Sequence, residues 1–136
     1  MRFICRCAPC IWKLALVYLA ALFALPSYAA EPNVNAKILL QSSPLAGFRY
    51  YEGKRLWGEM RVGDVLQLVR EPDNSHDSKA VRVEWQGHKL GYVPQVDNEA
   101  LARFMDRGSI AEARITRLKK SRNPWRRIEF EVYLNI

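Results

Sequence analysis

The sequence predicts a mainly β fold, a small and partly open β-barrel with one or two short helices. Three observations carry this expectation. Short segments that alternate apolar and polar residues recur along the chain, separated by Gly, Pro, Asn and Asp clusters. A single segment of helical periodicity stands between them and the final strands. The composition is globular, with 49% hydrophobic and 26% charged residues among 136, unlike the weakly apolar composition of disordered chains. A chain of this length holds one ordinary domain. That excludes a multidomain motor, a large enzyme and a repeat protein.

The first segment is assigned to export. Met1 to Lys13 carries Arg2, Arg6 and Lys13 and no acidic residue. Leu14 to Leu25 is an unbroken apolar run, ended by Pro26, and Ser27-Tyr28-Ala29 places small residues at the −3 and −1 positions of a cleavage site. Basic region, short apolar core and small-x-small site in that order make a secretory signal peptide. The expected organisation is therefore a signal peptide over 1–29, a flexible leader over 30–35 and a folded domain over 36–136, with Ala30 the alternative cleavage position. The apolar run is shorter than the roughly 20 residues a spanning helix needs, so no membrane span remains after cleavage; an uncleaved segment would anchor the chain. Export predicts a periplasmic or secreted protein. Cys5, Cys7 and Cys10 leave with the signal, so the mature chain has no thiol, disulfide or cysteine metal ligand. Three basic residues leave too, lowering the net charge from +7 to +4.

Ala36 to Gln41, containing Ile38-Leu39-Leu40, predicts the first strand. Leu45 to Tyr51 is a second apolar stretch between Pro44 and Gly53. As a strand it would set Arg49 beside Tyr51 on one face and Phe48 beside Tyr50 on the other. Gly63-Asp64 turns the chain into Val65 to Arg70, which alternates. Glu71 to Lys79 is a polar loop whose Asn74 and Asp77 suit Asx-turns. Val81 to Trp85 alternates strictly, Gln86-Gly87 supplies a two-residue turn, and Leu90 to Val93 returns, which predicts a hairpin. Asp97 is placed to cap a helix with Ala100, Leu101, Phe104 and Met105 on its apolar face and Gly108 at its end. Strands resume at Ile110, and Ile128 to Ile136 alternates throughout, as a half-buried strand does.

Three constellations are candidates for chemistry. Arg49, Tyr50 and Tyr51 combine a cation with flat rings, which suits phosphates and unpaired bases. Asn74, His76 and Asp77 offer short polar groups on a loop, able to bond a sugar hydroxyl. Ser75-His76-Asp77 lacks the G-x-S-x-G elbow and the spacing of a triad. His76, Asp77 and His88 lack metal-ligand spacing. The third is a stretch of seven basic residues without an acid, from Arg114 to Arg127, whose Lys119, Lys120, Arg122 and Trp125 flank an expected hairpin tip at Ser121 to Pro124. Nucleotide-cofactor and calcium-loop patterns are absent, so no cofactor is expected.

The order of motifs resembles a HIRAN domain. It is carried by Gly47 to Gly53 (GFRYYEG), Leu68 to Val83 (LVREPDNSHDSKAVRV), Gly87 to Pro94 (GHKLGYVP) and the helix from Leu101 to Gly108, so that it spans about Ala36 to Leu134. The resemblance implies an OB-like barrel with added helices that grips the 3′ end of single-stranded DNA and is not itself an enzyme. Arg49 and Tyr51 would then contact phosphate, Tyr50 would stack on a base, and Asp77 would bond the terminal 3′-hydroxyl with Asn74 beside it. Tyr92, next to Gly91 in the matched Gly87 to Pro94 segment, is a further nucleic-acid-binding candidate. His76 stands where DNA-gripping members carry an aromatic residue, and Pro94-Gln95 stands where they carry a lysine. Single-stranded DNA or DNA ends are the expected partner. The alternative is an envelope adaptor whose barrel binds a protein, a glycan or an anionic lipid.

Overall fold

The computed structural model describes residues 36–135; the expected signal peptide and leader lie outside them. Strands β1 (Lys37–Pro44), β2 (Val65–Glu71), β3 (Ala80–Trp85), β4 (His88–Tyr92), β5 (Ala111–Leu118) and β6 (Ile128–Asn135) are joined by helices α1 (Gly53–Leu56) and α2 (Asn98–Asp106). Short 3-10 turns occupy Phe48–Tyr50 and Pro124–Arg126. The strands form one sheet in the order β1-β6-β5-β2-β3-β4, with every neighbouring pair antiparallel. Among the described residues no helix is long and apolar enough to cross a membrane.

Alternation in the sequence becomes two-faced strands. Val81, Val83 and Trp85 of β3 and Ile128, Phe130 and Val132 of β6 are buried in one cluster with Leu66, Leu90, Ala113 and Ile115, while Arg82, Glu84, Glu129 and Glu131 point the other way. The β3–β4 hairpin turns at Gln86 (φ 49°) and Gly87 (φ 80°), the two consecutive positive φ values of a tight hairpin turn. β1 runs three residues beyond the expected Gln41 because β6 keeps pairing with it, through Ser43 to Phe130 and Pro44 to Glu129.

The sheet is not closed by a continuous ladder. Its two edges are joined instead by one bridge: Ala46 donates its backbone N–H to the Tyr92 carbonyl at 2.9 Å, and Tyr92 returns one to Ala46 at 3.0 Å. A Cβ at Gly91 would lie 2.1 Å from the Ala46 carbonyl oxygen, so only glycine lets the two backbones meet there. Partial closure leaves a barrel of OB type.

Three expectations are corrected. Leu45 to Tyr51 is not a strand. After the Ala46 bridge the chain coils at Phe48–Tyr50 and enters α1, so Phe48 turns inward (1% exposed) and Tyr50 outward (75% exposed). Arg49 consequently lies against Tyr50, not Tyr51, with its guanidinium carbon 5.8 Å from the Tyr50 ring. The apolar face of α2 is also turned slightly: Leu101 and Ala102 are buried and Ala100 is exposed. Asn98 of the first turn shares the buried face with Leu101 and Ala102, its side chain donating to Asp77. Asp97 stands at the N-cap position without capping through its side chain; that carboxylate accepts from Ser43 Oγ at 3.2 Å. At the far end, Arg70 of β2 grips Asp106 with two hydrogen bonds of 2.9 and 3.1 Å.

Candidate nucleic-acid interface

The loop between β2 and β3 is built from its own side chains. Asn74 Oδ1 accepts from the His76 backbone N–H at 2.9 Å, and Asp77 Oδ1 accepts from that of Lys79 at 2.9 Å. These are the two Asx-turns the composition suggests. Asp77 Oδ2 accepts from Asn98 Nδ2 at 2.6 Å, and Asn98 is 1% exposed. A buried amide thus fixes the carboxylate, and each oxygen keeps lone-pair capacity for a further donor. Asn74 commits its other end as well, donating from Nδ2 to Glu71 Oε2 at 2.9 Å. It positions the loop more than it offers a free group.

Beneath the loop lies a polar hub that sequence reasoning missed. Glu71 receives Arg82 Nη1 at 2.6 Å and the Tyr92 hydroxyl at 3.0 Å, besides Asn74. Lys89 Nζ donates to the Tyr92 hydroxyl at 2.6 Å and lies 4.3 and 4.4 Å from the Tyr51 and Tyr92 ring centres. Lys89 and Tyr92 are three residues apart and would occupy opposite faces of a regular strand. The pairing of β4 slips between Val83 and Glu84, so Lys89 lies opposite Glu84 and Tyr92 opposite Arg82. The extra residue, Leu90, enters the core, and Lys89 joins Tyr92 on the other face. A bulge re-aims a side chain in this way, and no pattern of residue types marks it.

Burial tends to raise the Glu71 pKa, but the hydrogen bonds from Asn74 and Tyr92 and the charge of Arg82 outweigh it, and the carboxyl sits below the usual range. Burial tends to lower that of Lys89, and its bond to Tyr92 reverses the direction. Burial raises the Tyr92 hydroxyl further, with Lys89 opposing. At neutral pH the hub is a carboxylate, an ammonium and a neutral phenol. Because the folded Glu71 value is lowered, its stabilisation is full above the unfolded carboxylate range near 4.5 and disappears as pH falls through the folded value. Urea midpoints measured from pH 6 to pH 3 should therefore fall for the wild type. Glu71→Gln should start lower at pH 6 and fall less steeply.

Tyr51, Asn74, His76, Asp77, Tyr92 and Trp125 meet around one groove of about 520 Å³, which Pro94, Gln95 and Val96 also line. Tyr51 and Tyr92 stand edge to face at 5.8 Å. Arg49 and Tyr50 are next door, in a smaller hollow of about 150 Å³ that shares Trp125 with the groove. The β5–β6 connection does form the expected hairpin, yet its residues divide. Trp125, held through its backbone N–H by Asn123 Oδ1 at 3.1 Å, faces the groove, whereas Lys120 and Arg122 line a separate hollow. Lys119 is exposed and lines none of the three hollows. Of the basic stretch, Arg114 pairs with Glu112 and Arg117 with Glu129. His88 is directed away, its Nδ1 3.0 Å from Glu52, so it does not join His76 and Asp77.

Comparison with known proteins agrees with this fold. The HIRAN domain profile matches residues 38–136, and the chain belongs to the HIRAN domain family. That family is known as a DNA-binding module. A crystal structure of a protein from Lactobacillus plantarum, a structural-genomics target, is similar with a TM-score of 0.65 and 27% identity, covering 74% of this chain and 97% of that one. The HIRAN domain of human HLTF shares the fold with a TM-score of 0.55 at 22% identity, covering 72% of this chain and 78% of that one. No curated protein matches the chain.

Proposed function

We propose that this HIRAN domain binds single-stranded DNA at its 3′ end, without catalysis, and does so after export. The observation that carries the reading is the single groove in which the Asp77 loop meets Tyr51, Tyr92 and Trp125. Rings recognise unpaired bases by stacking, and a carboxylate recognises a hydroxyl and repels a phosphate. Asp77 accepts the terminal 3′-hydroxyl, its own position fixed by Asn98. Tyr51, Tyr92 and Trp125 form the walls for the last base or sugar. Exposed Arg49 meets a phosphate, and Tyr50, free on one face, stacks on a neighbouring base. His76 at the groove rim gives a smaller stacking surface than a phenyl or indole ring.

The test is a titration of purified protein against labelled single strands ending in a 3′-hydroxyl or a 3′-phosphate, at two salt concentrations. Tighter binding to the hydroxyl, by about tenfold, is expected, corresponding to about 1.4 kcal/mol. Both ends should weaken together as salt rises, since phosphate contacts release counterions. Equal affinity for the two ends would remove the assignment of Asp77. Absence of binding at low salt would favour the envelope-adaptor reading, in which a protein, glycan or anionic lipid occupies the groove.

A further inference from the structure

Another hollow, of about 470 Å³, shares Phe48 with the smaller one and is lined by Lys54, Trp57, Lys120, Arg122 and Arg127. Its charge is one-sided. No acidic residue lines it, and among the described residues Lys54, Lys120 and Arg122 have no ion-pair partner, although nine pairs between a Lys or Arg and a carboxylate form elsewhere in the fold. Its back wall is aromatic and fixed: the Phe48 and Trp57 rings meet edge to face at 5.6 Å. Arg127 lies over Phe48 with its guanidinium carbon 5.2 Å from the ring centre, and its Nε donates to the Ser121 carbonyl at 2.7 Å. Cations around a flat apolar wall match a phosphate joined to a base.

The three hollows are linked. The groove shares Trp125 with the small hollow of Arg49 and Tyr50, and that hollow shares Phe48 with the basic one. We infer that a strand whose 3′ end sits in the groove continues past Trp125 and Tyr50 and places an upstream phosphate among Lys54, Lys120 and Arg122. This rests on the end-binding reading above. It adds a second contact area on the same strand, so affinity becomes a function of strand length. An OB-type surface accommodates about 4 to 16 nucleotides, enough for both areas to be filled by one strand.

The experiment compares labelled oligothymidylates of about three and about ten nucleotides, each with a 3′-hydroxyl or a 3′-phosphate, on the wild type and on Lys120→Ala/Arg122→Ala. Both substituted side chains are exposed, so circular dichroism should show an unchanged fold. The wild type should bind the longer strand at least about tenfold more tightly, since each added phosphate or base contact multiplies affinity. The double variant should keep wild-type affinity for the short strand, lose most of the gain with length, and show a salt slope on the long strand shallower by about 0.7, the value for one phosphate on a single strand. A variant that keeps the length gain, or that weakens short and long strands by the same factor, overturns the inference. Loss of discrimination between the two ends, with the length gain intact, overturns the end-binding reading and leaves the basic hollow as a strand contact. Binding to anionic-lipid vesicles that Lys120→Ala/Arg122→Ala weakens by the same factor as binding to the long strand would assign the hollow to anionic surfaces and overturn its nucleic-acid role.

Discussion

Asp77→Ala is expected to erase the preference for a 3′-hydroxyl over a 3′-phosphate while leaving a residual, salt-sensitive affinity for both ends. The reasoning is local. Asp77 is the carboxylate held in the groove by a buried donor, Asn98 Nδ2 at 2.6 Å, and a hydrogen bond from a hydroxyl to a charged acceptor contributes about 1.5–3 kcal/mol. Truncation removes that bond and the repulsion that rejects phosphate. It also leaves the Asn98 amide unpaired inside the fold, at a cost of about 1–3 kcal/mol in stability. Stability and recognition must therefore be separated. Asp77→Ala/Asn98→Ala removes the orphaned donor together with its acceptor, and should recover part of the lost unfolding free energy without recovering end discrimination. Should discrimination survive in the folded double variant, the hydroxyl is recognised elsewhere in the groove and the assignment of Asp77 fails.

How much of this could be read from residue types alone differs between strand faces and backbone detours. β3 and β6 were legible because one face of each is buried and the other wet, so the requirement for burial writes a period of two into the sequence. The Glu71 to Lys79 loop was legible because Asn and Asp form Asx-turns by themselves, needing no distant partner. Phe48–Tyr50 was not, because the deciding interaction is remote. The Ala46–Tyr92 bridge ends the extended chain there, and Gly53 then allows α1 to pack on Phe48, with a hypothetical Cβ only 2.5 Å from that ring. Lys89 was hidden for a similar reason, since a slip of one residue in β4 decides its face. Glu71 and Asn98 look like ordinary surface residues in sequence. Their roles come from what the fold sets beside them, a phenol and an arginine in one case and a loop carboxylate in the other. The residues that would touch a ligand were thus more visible than those that hold them in place.

The largest effect on stability is expected at the seam of the barrel. Gly91→Ala would place its Cβ 2.1 Å from the Ala46 carbonyl oxygen and 3.3 Å from Leu45 Cδ1, and the nearer atom is backbone, which cannot swing aside. Something must separate, and the weakest connection there is the two-hydrogen-bond bridge between Ala46 and Tyr92. Losing both bonds costs about 2 kcal/mol at ordinary net values, and disturbing the packing of Leu45, itself 1% exposed, brings the total to about 3 kcal/mol or more. For a domain of about 100 residues this lowers the melting temperature by about 15 °C. Gly87→Ala provides the matching control. It sits at φ +80° with open space around the added methyl, so it meets only the left-handed backbone penalty of about 1–2 kcal/mol. The two variants should also separate in function. Ala46 and Tyr92 both line the groove, so Gly91→Ala should weaken strand binding even at temperatures where the domain remains folded, whereas Gly87→Ala, at the hairpin turn, should bind as the wild type does. Equal melting temperatures for the two variants would mean that the edges of the sheet are not held together at this bridge, and the groove would then owe its shape to the Asp77 loop alone.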